Sequence, residues 1–165
     1  MRKINFLIQL NKENKLQIVE SNENIKEAYI TKSNNSLKSS KILINNDQIE
    51  DAVPMIYYSM YYMLTALFYK LGIKCENHSA SIIILKELFN LDNSKISFAK
   101  TERVDKQYYI DFKITKKQVE EFLKIAEEFN SKIYDFIDRM TTKEISKYRE
   151  ELKESLKWTK LIKKY

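Results

Sequence analysis

The chain has 165 residues but only one histidine, His78, and one cysteine, Cys75. Imidazole is the side chain whose ordinary pKa lies near neutrality, so acid–base chemistry in this protein would start at His78. A guanidinium offers a fixed fork of donors suited to phosphate, and Arg103 stands shortly before Tyr108 and Tyr109. Two assignments are open for each residue. His78, following Asn77, either caps and packs a helix start or lines a cleft where it meets Arg103 in space. Arg103 either pairs with carboxylates such as Glu102 or Asp105, or it binds phosphate. Tyr108 and Tyr109 read as core aromatics with bonded hydroxyls, or as cleft residues. Cys75-x-x-His78 offers two metal-ligand types, too few for a closed zinc site, so no metal and no cofactor is expected. The sequence has no Gly-rich phosphate loop, no Gly-x-Ser-x-Gly elbow and no His-Glu-x-x-His.

Helices must position these groups. The chain has one glycine, Gly72, and one proline, Pro54, and folds rich in tight turns need many of both. Ser21 reads as the N-cap of a helix to about Ile44, with a weak inner stripe of Ile25, Ala28, Tyr29, Leu37 and Ile44. Asp47 and Glu50 read as a capping box for the next helix. That helix is apolar on every face to about Leu71, contains Pro54 near its start, and ends at Gly72. Asn77 or Ser79 caps a short helix through Phe89, and another spans about Ser97 to Asp111. Thr115 and Gln118 form a capping box. They open the cleanest amphipathic helix, with Val119, Phe122, Ala126, Phe129, Ile133, Phe136, Ile137 and Met140 on one face. Thr141 and Glu144 open the last helix. Its stripe of Ile145, Tyr148, Leu152 and Leu156 gives way to a second one, Trp158, Leu161, Ile162 and Tyr165, on the opposite face. The second stripe suits either another element of the same chain or a partner. The expected layout is a single domain: residues 1–20 as an arm or a first helix, 21–140 as bundle core, and 141–165 as a basic C-terminal helix.

The net charge is +6, and residues 139–165 hold nine basic and four acidic side chains, so the rest is close to neutral. That helix is a solvated face or a contact for RNA backbone. The lone cysteine and the absence of a sustained apolar run at the start point to a reducing, cytoplasmic setting. Ala52 to Tyr69 is uncharged and long enough to span a membrane, but five phenols in hydrocarbon would each need a partner. A buried core or dimer helix is the expectation there, with Tyr57, Tyr58, Met60 and Tyr61 at its centre.

The stretch Asp51-Ala52-Val53-Pro54-Met55-Ile56-Tyr57-Tyr58-Ser59-Met60-Tyr61-Tyr62 resembles the AxxxxYYAMxxA helix of HEPN proteins. Leu71-Gly72-Ile73-Lys74-Cys75-Glu76-Asn77-His78 resembles the helix-ending glycine, short loop and histidine of their small archaeal and bacterial branch. Residues 101–109, with Arg103 leading to Tyr108 and Tyr109, resemble that branch's arginine-bearing helix. The similarity runs from about Ile25 to Ile137. It implies an all-α, up-and-down bundle of four to five helices, with an additional C-terminal helix in this chain, and homodimerisation. It also implies an association with minimal nucleotidyltransferases, as in toxin–antitoxin pairs, where a tyrosine such as Tyr109 can be the target of nucleotidyl transfer.

Ribonuclease-active HEPN proteins carry Arg-x4–6-His. This chain departs from that pattern: at that spacing Ile73, Gly72 and Leu71 precede His78, and Tyr108, Tyr109 and Ile110 follow Arg103. Three functions follow as expectations. The first is a HEPN module acting with a nucleotidyltransferase partner, as a toxin–antitoxin component. The second is a metal-independent endoribonuclease that assembles Arg103 and His78 in space. The third is a helical bundle that only binds a partner protein or nucleotide.

Overall fold

The computed structural model describes residues 2–108 and 113–157. Its elements are α1 (Arg2–Lys12), β1 (Leu16–Ile18), α2 (Glu23–Asn45), α3 (Ile49–Leu71), β2 (Ile73–Cys75), α4 (His78–Glu87), α5 (Ser94–Tyr108), α6 (Lys116–Arg139) and α7 (Thr142–Lys157). This is the expected all-α bundle, and α3 runs through its middle, touching α2, α4, α5, α6 and α7. Its apolar residues face every side because neighbours cover every side: Val53, Ile56, Tyr57, Met60, Leu64, Leu67 and Leu71 are all fully buried. Each such side chain contributes about 1.5–3 kcal/mol on burial, so α3 dominates the core. Among the described residues no helix is long and apolar enough to cross a membrane.

Several local signals act as read. Thr115 and Gln118 close both bonds of a capping box, and α6 buries Val119, Phe122, Ala126, Phe129, Ile133 and Ile137 as its stripe requires. Thr141 and Glu144 bond reciprocally at the start of α7. Gly72 ends α3 in the left-handed conformation, φ 66°.

Other readings are corrected. The N-cap of α2 is Asn22, not Ser21; its side chain accepts from the Ile25 amide at 2.9 Å. Asp47 and Glu50 form no capping box. Asp47 sits at φ 59° and Gln48 precedes the helix without a side-chain bond, while Glu50 accepts from Lys106 at 3.0 Å. The inner face of α2 follows the predicted stripe only in part: Ile44 is buried and Tyr29 and Leu37 pack against the core, but Ile25 and Ala28 are exposed. Ser33 and Ser40 are also buried there. Small residues let α2 approach α3 closely, and the Ser33 hydroxyl donates to the Ser59 carbonyl at 2.7 Å. The helix expected from Ser97 begins at Ser94. The short helix ends at Glu87 rather than Phe89.

Of the two alternatives for the N-terminal stretch the structure takes the helix, and it adds a strand pair that the sequence did not suggest. The N-terminal stretch forms helix α1, whose Leu7, Ile8 and Leu10 are buried. The antiparallel pair β1–β2, in register Leu16–Cys75, Gln17–Lys74 and Ile18–Ile73, ties it to the link between α3 and α4. Arg149 of α7 locks the same corner. Its Nη1 donates to the carbonyls of Val19, Leu71 and Gly72. Leu71 and Gly72 stand at the α3 C-terminus, where a cation complements the helix dipole, and the Gly72 carbonyl also accepts from the Val19 amide at 2.8 Å. The described part of α7 is nearly neutral, with five basic and four acidic residues. Lys153–Glu150 and Lys157–Glu154 ion pairs occupy it. The stripe Trp158, Leu161, Ile162 and Tyr165, and the lysines beside it, lie outside the described residues.

Candidate functional site

The corner just described sets the position of His78. Gly72 turns the chain out of α3, β2 carries it for three residues, and Asn77 caps α4 by accepting from the Ala80 amide at 2.9 Å. His78 is therefore the first residue of α4, and its ring is aimed back at α3. It stacks on Tyr61, with ring centroids 3.8 Å apart and planes at 18°. Its Nδ1 shares a 2.5 Å hydrogen bond with the Tyr57 hydroxyl.

Arg103 approaches the same tyrosines from α5. Its guanidinium carbon lies 5.9 Å from the Tyr57 ring centre and 5.6 Å from that of Tyr58, and Nη2 donates to the Tyr58 hydroxyl at 3.1 Å. One turn earlier on α5, Lys100 donates to the Ser79 hydroxyl beside His78. Neither Glu102 nor Asp105 pairs with Arg103. Among the described residues no carboxylate contacts Arg103 or Lys100 in an ion pair.

The structure thus brings His78 and Arg103 to the same ring, Tyr57, although 24 residues lie between them in sequence. Tyr57, Met60 and Tyr61 are core residues of the bundle, and Tyr58 is half-buried. The Tyr108 side chain and Tyr109 lie outside the described residues. Sequence reasoning did not single out Lys100 and Ser79. The signal was their spacing: Lys100 is one turn from Arg103, and Ser79 is adjacent to His78.

The electrostatics fix the protonation of the cluster. Burial, then the like charges of Arg103 and Lys100, lower the His78 pKa from its ordinary value, so the ring is neutral at pH 7. Burial, reinforced by Tyr61, pushes Tyr57 well above the ordinary phenol range. Burial likewise raises Tyr61 to about 12. Tyr57 therefore keeps its proton. That buried O–H has one acceptor among the described residues, His78 Nδ1, and a buried donor left without an acceptor costs about 1–3 kcal/mol. So Tyr57 donates and Nδ1 accepts, which puts the neutral ring's own proton on Nε2. His78 then carries a neutral N–H donor at Nε2, with no free lone pair to take up a proton. Next to it stand a guanidinium and an ammonium. The cluster is built to receive an anion.

A helical bundle with a tyrosine-rich central helix, and a histidine and an arginine converging on it, defines a class of small α-helical modules. The family model for the HEPN domain matches residues 26–136, and the chain belongs to that family. No curated protein matches the chain. The matched region takes in α3, α4 and α5, and so the whole cluster.

Proposed function

We propose that this chain is a HEPN-type module that binds RNA phosphate at the Tyr57–His78–Arg103 cluster without cleaving it. It acts beside a partner protein of the nucleotidyltransferase kind, as one half of a toxin–antitoxin pair, and as a homodimer. The observation that carries the binding half is the Tyr57–His78 bond, which leaves a neutral donor at Nε2 beside Arg103 and Lys100. A phosphate oxygen accepts from such groups without a proton changing hands. The partner and the dimer rest on the family, whose members pair in these ways.

A second reading, a metal-independent endoribonuclease, is favoured by the convergence of Arg103 and His78 on one ring. In that reaction the 2′-oxygen attacks phosphorus as its proton passes to His78, and the bond to the 5′-oxygen breaks. The leaving oxygen takes a proton from water, giving a cyclic phosphate and a 5′-hydroxyl. His78 can take that proton only with a free lone pair facing the substrate, which Tyr57 denies it.

The test is an RNA cleavage assay in chelator on wild type, His78→Ala and Arg103→Ala, with binding measured in parallel. Binding without cleavage by wild type, and weaker binding by both variants, is the expected result. Cleavage by wild type that both substitutions abolish would establish the ribonuclease reading instead.

A further inference from the structure

Arg103 is also the end of a longer surface feature. Along α3, Tyr58, Tyr62 and Tyr69 stand at i, i+4 and i+11, within a narrow sector of the helix. Tyr29 of α2 fills the gap between the last two. The ring centroids follow one another at 5.8 Å from Tyr58 to Tyr62, 5.9 Å from Tyr62 to Tyr29, and 5.5 Å from Tyr29 to Tyr69. All four rings are half-buried.

Tyr29, Tyr58 and Tyr62 pack against the core on their inner sides, and the rest of each ring stays accessible. The seam beneath it is already closed by Ser33 and Ser59, both fully buried. The opposite sides of α3 make the core through Tyr57, Met60 and Leu64. A contiguous band of aromatic surface on a folded protein marks an interaction site.

The charges on the row indicate the kind of ligand. The exposed Lys32 holds its ammonium 5.0 Å from the Tyr29 ring centre and 5.8 Å from that of Tyr62. Arg103 stands over Tyr58 at one end of the row, and Lys32 lies against its middle. Among the described residues neither cation has a carboxylate partner, and Glu23, near the Tyr69 end, is held by Lys26 and Lys70. Uncompensated cations alternating with aromatic rings suit a strand that alternates phosphates with bases. A protein partner of this surface would have to bring carboxylates to two separate points of the row.

We infer that the Tyr58–Tyr62–Tyr29–Tyr69 row, with Arg103 at its Tyr58 end and Lys32 at its middle, is a track for single-stranded RNA, with bases against the tyrosines and phosphates at the two cations. The inference rests on the phosphate-binding reading of the Arg103 cluster and extends it outward. It also gives the cluster a preference for unpaired strands, because a duplex hides the base faces the track needs.

The test is fluorescence anisotropy of the full chain with a labelled single strand of roughly ten nucleotides, within the usual single-strand site size, and with the same strand annealed to its complement. The single strand should bind more tightly than the duplex. Tyr62→Leu and Tyr69→Leu should each weaken it about five- to a hundredfold, the range for losing one stacked base, while Tyr62→Phe and Tyr69→Phe bind as wild type. Lys32→Gln, an exposed change that leaves folding alone, should weaken binding and lower the salt slope by about one. If Arg103→Gln weakens binding while the leucine variants and Lys32→Gln do not, the cluster stands and the track is overturned. If wild type binds no single strand at low salt, both fall. If the leucine variants instead alter the oligomeric state and leave RNA binding unchanged, the row is a protein interface and the inference is wrong.

Discussion

Replacing Tyr57 by Phe removes one oxygen from the centre of the cluster and almost nothing else. The ring keeps its volume, so no cavity forms. The bond to His78 Nδ1 is lost, a net contribution of about 0.5–1.5 kcal/mol. The imidazole is half-buried, so its abandoned nitrogen recovers only part of its solvation, and the total cost should be about 1–2 kcal/mol. In a domain of this size that lowers Tm by roughly 2–8 °C. Tyr58→Phe is the matched control: it removes a hydroxyl that only accepts from Arg103, in a half-exposed setting, and should stay within about 0.5 kcal/mol. The His78 titration gives a sharper readout than stability. If Tyr57 donates to Nδ1, the bond favours the neutral ring, and Tyr57→Phe must raise the His78 pKa. If instead Nδ1–H donates to the phenol, the bond favours the charged ring, and the same substitution must lower it. Thermal melts and a proton NMR titration of the single histidine measure both effects. An unchanged melt together with a lowered pKa would refute the donor assignment and the functional reading built on it.

Other consequences follow from the same corner of the fold. Gly72→Ala forces a side chain into a left-handed residue, at about 1–2 kcal/mol, and its Cβ would collide with Arg149 Nη1 and the Val19 carbonyl; denaturant melts should show a loss above that figure. Arg149→Met keeps most of the stem but removes the side-chain donor to the Leu71 carbonyl, while the Gly72 carbonyl keeps the Val19 amide, and chemical denaturation should find it about 1–3 kcal/mol less stable. Stability should also fall on mild acidification. The folded His78 pKa lies below the unfolded value of about 6.5, so between the two the unfolded chain binds a proton that the native one does not. Glu102, raised by burial and then by Asp105, acts in the opposite sense nearer its own range. Melts from about pH 7.5 to about 5.5 should therefore decline in wild type and flatten in His78→Gln.

Much of the bundle was legible because its signals are local. Capping boxes at Thr115 and Thr141, the Asn77 cap and the Gly72 terminus each act within one turn. The α6 stripe repeats often enough to be read directly. The inner face of α2 was misread in part because buried serines share its contact with α3, and apolar periodicity is silent about the stretch of seam closed by hydroxyls. The strand pair escaped because three residues are too few to show an alternation. Arg149 looked like one more surface cation, and only the tertiary fold brings it to the α3 terminus. At the site, residue type was enough to single out His78 and Arg103, but not to say what they do. That depends on the Tyr57 hydroxyl, whose partner lies 21 residues away, and no spacing rule predicts which nitrogen it meets.

The donor assignment at His78 is open to direct observation. With a single histidine in the chain, long-range nitrogen–proton correlation on uniformly labelled protein at neutral pH reads the tautomer without assignment ambiguity. The account predicts a neutral ring protonated at Nε2, with Nδ1 unprotonated and hydrogen-bonded. A ring protonated at Nδ1, or an imidazolium, would put a base or an acid at Nε2 in place of a neutral donor, and would contradict it.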